Sequence, residues 1–296
     1  MSPSRRTIAI VGAGFIGTPI ARALLDSTYD PKIIILTRPE SSGKSLPGID
    51  ISSIPTVPVD FTNVAAVTKV FKDHHVDIVV STVNDTGIAI AQYRLADAAK
   101  ASGTVKLFVP SEWGMPTEGA KAHGEENSFA AKDQFAKYLK SIELPFTRIY
   151  TGLFFGFIQW ILGADVNGKA NILGQGEAKF SATSEADIGG FTAHILTALP
   201  LDSPHLVNQS LRVEGDRVSL HDLARIYEKP VVHVREGEQI PGNTEWEKTI
   251  KTALQVEVEA GRASCGWNRA TGKDEGTAGS ANKLWEGHIW NKVQKP

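Results

Sequence analysis

The sequence predicts an α/β protein: a doubly wound parallel sheet with helices on both faces, followed by a smaller C-terminal lobe. Short β-branched runs alternate with helix-length amphipathic stretches through the first half of the chain. These runs are almost continuously apolar, as suits parallel strands covered on both faces. A glycine-rich turn stands directly between the first run and the first helix.

The strands are read at Ile8–Val11, Ile33–Leu36, Thr56–Val59, Ile78–Val80, Val105–Val109 and Phe146–Ile149. Helices fall between them near Phe15–Ser27, Val64–His74, Ile88–Ser102 and Phe129–Ile142, and right-handed crossovers wind them onto the sheet. After Tyr150 the rhythm gives way to Gly-rich, aromatic segments, with two more helices near Ile188–Leu199 and Ser219–Glu228. Residues 1–155 should therefore form the first domain. Residues 156–296 should form the lobe, returning some elements, about 180–232, to that domain. From Asn268 to Asn282 the chain carries almost no apolar payload, so a mobile loop is expected there. Trp267, Trp285 and Trp290 then anchor the tail against the lobe, with a lid role left open.

The 296 residues are 42% hydrophobic and 22% charged, enough to bury a core without disulfides or metals. A net charge of −2 offers nucleic acid and anionic membranes no broad electrostatic foothold. The single cysteine, Cys265, excludes an intrachain disulfide and argues against a thiolate metal site, and the eight histidines show no ligand spacing. With no signal-peptide core and no apolar run of membrane length, the chain reads as a soluble, cytoplasmic protein without metal, nucleic-acid or membrane partners.

The sharpest local signal is Val11-Gly12-Ala13-Gly14-Phe15-Ile16-Gly17. Gly12 permits a tight turn, Gly14 lets backbone approach a pyrophosphate, and Gly17 lets the helix lie close to the strand. Phe15 and Ile16 stand at the helix N-terminus, where N–H groups face the phosphates. This is a Rossmann-type dinucleotide fingerprint in its βαβ context; the alternative is a glycine turn with no ligand. The second strand ends at Arg38 rather than at a carboxylate, which favours the 2′-phosphate of NADP(H) over the ribose hydroxyls of NAD. A surface ion pair is the competing role for Arg38. Lys44 either adds a second cation or is simply solvated. Asp60 and Phe61 follow the third strand, where they can line the adenine. Thr82 and Val83 follow the fourth, and Ser111 and Glu112 the fifth, all at the carboxyl edge where such sheets bind ligands. Glu112 serves equally well as a structural hydrogen-bond acceptor.

On the helix over Phe129–Ile142, Phe135, Leu139 and Ile142 form an apolar stripe, with Lys132 about 70° from its centre and Lys137 roughly 150° away. Lys132 is thus at the edge of the buried face, either snorkelling along the core or presented into a cleft. Ser128, not tyrosine, stands four residues before it, which argues against a tyrosine proton donor. His123, in the loop before this helix, either reaches a substrate or is solvated. Thr151-Gly152-Leu153-Phe154-Phe155-Gly156-Phe157 sets aromatic rings beside glycines, as in a wall for a flat substrate or in ordinary core packing.

These elements together resemble the isoflavone reductase-like, NmrA-like branch of the atypical short-chain dehydrogenases. The resemblance rests on the glycine fingerprint, Thr37-Arg38 with Lys44, Phe108-Val109-Pro110-Ser111-Glu112-Trp113-Gly114, and Phe129-Ala130-Ala131-Lys132 leading to Leu144-Pro145-Phe146-Thr147. Gly176-Glu177-Ala178-Lys179 running to Asp187-Ile188-Gly189, and Leu211-Arg212-Val213-Glu214-Gly215-Asp216, extend it over about residues 7 to 232. Trp113 stands where relatives usually carry phenylalanine. The resemblance implies an NADPH-dependent oxidoreductase of secondary metabolism that reduces a small, aromatic or phenylpropanoid-like compound. Lys132 would be its acid/base group and Phe154 a cofactor-adjacent ring. It also implies an alternative, a non-catalytic NADP(H)-sensing regulator that binds a protein partner, and leaves a homodimer open.

Overall fold

The computed structural model describes residues 5–41, 54–84, 90–122, 124–235 and 237–295. Two compact units divide the chain. The first takes residues 1–112, 117–149 and 188–211; the second takes 113–116, 150–187 and 212–296.

In the first unit, β1 (Thr7–Val11), β2 (Lys32–Thr37), β3 (Thr56–Pro58), β4 (Ile78–Ser81) and β5 (Leu107–Val109) form one sheet in the order β3-β2-β1-β4-β5, every pair parallel. The chain is therefore of the Rossmann type. Three of the connecting helices start or stop for a local reason. Asn63 caps α2 (Val64–Asp73) by accepting from Ala66 N, and α3 (Ala91–Ser102) ends at Gly103, whose φ of 69° glycine adopts freely. Asn127 caps α4 (Ser128–Ser141), accepting from the N–H groups of Phe129 and Ala130. One core joins Val11, Leu36 and Phe108 of the strands to Phe71, Leu95, Phe135 and Leu139 of the helices.

The sixth expected strand departs from a continuous sheet. β6 (Thr147–Tyr150) adjoins β5 only through a single parallel bridge, Phe108 to Phe146, and pairs instead with β10 (Gln209–Arg212). Pro110 has no N–H to extend the ladder beyond Val109. The helix α5 (Glu185–Ala198) adds Gly189 to the first unit. A Cβ there would come within 2.5 Å of the Pro19 carbonyl oxygen on α1 (Gly17–Leu25).

The second unit holds a three-stranded sheet, β11 (Asp216–Val218), β9 (Phe180–Thr183) and β7 (Leu153–Phe154), and a parallel pair of β12 (Val231–His233) with β8 (Ala170–Ile172). The helix α6 (Leu220–Ile226) opens with a full capping box from Ser219 and Asp222. Two expectations are corrected here. The 15-residue helix α7 (Glu245–Glu259) went unforeseen, because its buried face carries Lys251 and Gln255 beside Val258 instead of an apolar stripe. Lys251 is fully buried, 2.8 Å from Asp165 Oδ1 and 4.7 Å from the centre of the Trp160 ring. Gln255 Nε2 donates to the carbonyls of Ile161 and Asn171.

The stretch 268–282, expected to be a mobile loop, is folded. β13 (Trp267–Asn268) and β14 (Lys273–Asp274) form an antiparallel hairpin, and Arg217 Nη2 reaches Asp274 Oδ2 at 2.7 Å. Arg269 is buried, donating to the Pro116 carbonyl and to Glu257 at 3.0 Å. Polar groups hold this segment, so its low apolar content misled. The tail after it docks within the same unit. Asn291 N donates to Asp187 Oδ2 at 2.8 Å, Val293 N donates to Asp216 Oδ2 at 2.9 Å, and His288 stacks on Trp285 at 3.5 Å. No helix among the described residues is long and apolar enough to cross a membrane.

Candidate functional site

At the carboxyl end of β1 the backbone turns through Gly12 at φ 93°, where a Cβ would press on Thr82 at 3.1–3.2 Å. Thr82 Oγ1 donates to the Gly12 carbonyl at 2.8 Å, locking the turn to the end of β4. A Cβ on Gly17 would collide with the Gly12 carbonyl oxygen, so glycine alone lets α1 start this close to the strand. Around Gly14, by contrast, no atom of the described residues other than its chain neighbours lies within 4 Å of a Cβ position, and no side chain among them caps α1. Open space beside helical N–H groups is what a pyrophosphate needs, so Gly12, Gly14, Phe15, Ile16 and Gly17 fit a dinucleotide. Phe15 is exposed, whereas Ile16 is buried.

Arg38 follows β2 with Nη1 3.3 Å from Glu40 Oε1, both side chains largely exposed. Lys44 and His123 lie outside the described residues. Asp60 forms a tight local turn: hydrogen bonds from the Thr62 N–H and hydroxyl hold its carboxyl below the usual range. Phe61 turns its ring into the core, 7% exposed, so only its backbone is at the strand end.

The loops after β4 and β5 are stitched together. Ser111 Oγ donates to the Val83 carbonyl at 2.8 Å, and Ser111 N donates to Gln92 Oε1 at 2.7 Å. The Glu112 side chain is 2% exposed and accepts from Thr117 Oγ1 at 3.0 Å. Burial pushes its carboxyl above the usual carboxylate range, against the pull of Arg148, Lys132 and Thr117. Lys132, half-buried on α4, donates from Nζ to the Glu112 main-chain carbonyl at 2.9 Å. Lys132 thus reaches past the carboxyl end of β5, whereas Lys137 pairs with Asp133 at 2.9 Å.

Around this point the first unit buries a cluster that sequence reasoning missed. Arg148 donates from Nη2 to Glu118 Oε1 at 3.0 Å and from Nε to Ser210 Oγ at 3.1 Å. Its Nη1 lies 3.8 Å from Glu112 Oε1 and 3.9 Å from Asp133 Oδ1. The available signal was a charged residue inside the apolar run Phe146-Thr147-Arg148-Ile149-Tyr150. Gln92, buried on α3, was missed for the same reason that any helix glutamine is, since its type says nothing of burial. Phe154 belongs to the second unit, its ring 5.8 Å from Phe157, in a row that continues to Trp160 at 5.9 Å and Trp246 at 6.3 Å. A cleft lined by Arg5, Thr7, Lys32 and His74 opens at the amino end of the parallel sheet, opposite the glycine loop. No group of three or more His, Cys, Asp or Glu among the described residues is arranged to hold a metal.

Comparison with known proteins places this geometry in context. The chain is 29% identical over 251 residues to phenylcoumaran benzylic ether reductase PT1 of Pinus taeda, covering 80% of this chain and 79% of that protein. It is 27% identical to eugenol synthase 1 of Petunia hybrida, covering 81% and 79%. The leucoanthocyanidin reductase–NADPH complex from Vitis vinifera superposes with a TM-score of 0.73 at 24% identity, over 97% of this chain and 96% of that one. The structure of AtPrR2 with NADP+ and (+)pinoresinol does so with a TM-score of 0.75 at 20% identity, over 98% and 97%. The model of the NmrA-like family matches residues 4–294, and the chain belongs to that family.

Proposed function

We propose that this protein is an NADPH-dependent reductase of a small, aromatic, phenylpropanoid-like metabolite, with Lys132 exchanging the proton that accompanies reduction. The observation that carries this reading is the Lys132 amine, fixed 2.9 Å from the Glu112 carbonyl at the carboxyl edge of the parallel sheet. The glycine loop opens at that same edge. Relatives whose names describe benzylic ether reduction and eugenol synthesis support the substrate class. Complexes of structural neighbours with NADPH and NADP+ support the cofactor.

In this reading Gly12, Gly14, Phe15, Ile16 and Gly17 hold the pyrophosphate, Arg38 and Lys44 the 2′-phosphate, and Asp60 and Phe61 the adenine side. Thr82, Val83 and Ser111 complete the first unit's part of the cofactor site, and Phe154 keeps the cofactor-adjacent role that the family resemblance implies. Bound NADPH supplies the hydride for a C=C, C=O or benzylic carbon. The chain supplies the proton. Ser111 has committed its hydroxyl hydrogen to the Val83 carbonyl, so it positions backbone rather than donating to substrate. Lys132 hangs on a main-chain oxygen, an acceptor that holds the amine without taking its proton, and it can move a proton at Nζ to or from a substrate oxygen.

The test is turnover by site variants against a panel of phenylpropanoid benzylic ethers and lignans, (+)-pinoresinol included. Lys132→Ala should keep its fold and NADPH affinity and lose about two to four orders of magnitude in kcat. Lys132→Arg should fail nearly as badly, because a guanidinium does not deprotonate at workable pH. Lys137→Ala should remain close to wild type. Near-normal turnover by Lys132→Ala would sink the assignment.

A further inference from the structure

Arg148 has no place in the reaction just described, yet it is a buried cation of the first unit held from several sides. Its side chain is 9% exposed and faces carboxylates from three separate places: Glu112 after β5, Glu118 in the following loop and Asp133 on α4. Glu112 and Asp133 are themselves buried, at 2% and 5% side-chain exposure. Two buried carboxylates on different elements repel one another and draw those elements apart unless a cation stands between them. Arg148 Nη1 stands there, 3.8 Å from Glu112 Oε1 and 3.9 Å from Asp133 Oδ1. The largely exposed Lys137 pairs with the other Asp133 oxygen, Oδ2, at 2.9 Å on the same helix and does not reach across to Glu112.

Both carboxylates are tied to Lys132. The Glu112 carbonyl, one residue's backbone away from its buried side chain, accepts the Lys132 amine. Asp133 is the next residue along α4, so a shift of this turn moves both. We propose that Arg148 is a positioning residue for Lys132: by neutralising Glu112 and Asp133 together, its guanidinium sets the spacing between the β5 loop and α4 that fixes Nζ. This rests on the reading of Lys132 as the proton-exchanging group. The planar fork matters. Its other two nitrogens are spent on Ser210 and Glu118, which aim Nη1 between the pair, and a lysine at 148 would keep the charge without that aim.

The experiment is pulsed acetylation of the cofactor-free protein with acetic anhydride across a pH range, read residue by residue by peptide mass spectrometry. The limiting rate constant of the unprotonated amine reports its freedom and access separately from its titration. Exposed Lys140 on the same helix is the internal reference. In Arg148→Met the Lys132/Lys140 ratio of limiting rates should rise roughly two- to tenfold, the range commanded by losing one ordinary hydrogen bond. Arg148→Lys, which keeps a buried charge and is the variant to use if Arg148→Met does not fold, should show the same rise. A merely structural arginine would lower the melting temperature and leave the ratio at its wild-type value, and that result in a folded variant overturns the proposal. Full turnover by Lys132→Ala would instead remove the reading on which it rests, so the two failures are distinguishable.

Discussion

Arg38 and Glu40 form an ion pair in the open, with side chains 61% and 63% exposed. Such pairs contribute about 0–1 kcal/mol, less than a guanidinium gains from a phosphate dianion. Arg38→Ala should therefore weaken NADPH binding by about one to two orders of magnitude, from the loss of roughly 1.5–3 kcal/mol, and leave NADH nearly unchanged. Glu40→Gln should tighten NADPH slightly by freeing the cation. Fluorescence titration with each nucleotide measures both, and equal wild-type affinities for NADPH and NADH would refute the role. Arg38, the three glycines and Lys132 were legible in the sequence because each rests on spacing within a few residues. Arg148, Asp133 and Gln92 were not, because their partners stand on other elements, as Arg148 is 36 positions from Glu112 (148 − 112).

At the scale of elements, the parallel strands and their helices were readable because burial on both faces leaves a continuous apolar run, as in the fully buried β1 and β4. In the second unit α6 falls within the expected Ser219–Glu228, but α7 and the hairpin of β13 and β14 are held by polar groups, and there the pattern fails. One local sign of α7 was present, Thr244 three residues before Glu247, and the Thr244 hydroxyl does accept from Glu247 N at 3.1 Å. Thr244→Ala should cost about 1 kcal/mol, seen in denaturant unfolding as a lower midpoint at unchanged slope. For α1 the decisive position is Gly17. Gly17→Ala forces a methyl group against the Gly12 carbonyl, a backbone atom that cannot step aside, so the turn must open. That variant should lose nucleotide binding along with stability, whereas Gly14→Ala should lose binding and keep its melting temperature.

For the whole molecule, acid should act first on the second unit. Burial alone would raise Glu257, Asp274 and Asp222, but hydrogen bonds from Arg262 and Arg269, from Arg217, and from Lys179 and Ser219 respectively bring them below the usual carboxylate range. A carboxyl depressed by folding contributes stability that is fully present above its ordinary value and is lost as pH falls through its folded value. Glu112, raised by burial, works in the opposite sense and favours the folded state as pH falls. Hydrogen exchange between pH 7 and pH 3 should show the second unit opening before the first, with Arg217→Met flattening the decline. The interleaved order of the two units bears on how the protein is made. The first unit takes its last segment, 188–211, only after the chain has run through 150–187. That segment brings the Leu196 carbonyl to Arg6 Nη1 at 2.6 Å, the Leu206 carbonyl to Thr147 Oγ1 at 2.6 Å, and Gly189 against Pro19. A nascent chain therefore cannot complete the first unit on the ribosome from the N-terminal stretch alone. Stalled chains should stay protease-sensitive until residue 211 clears the exit tunnel, and a fragment ending at residue 150 should need chaperones to remain in solution.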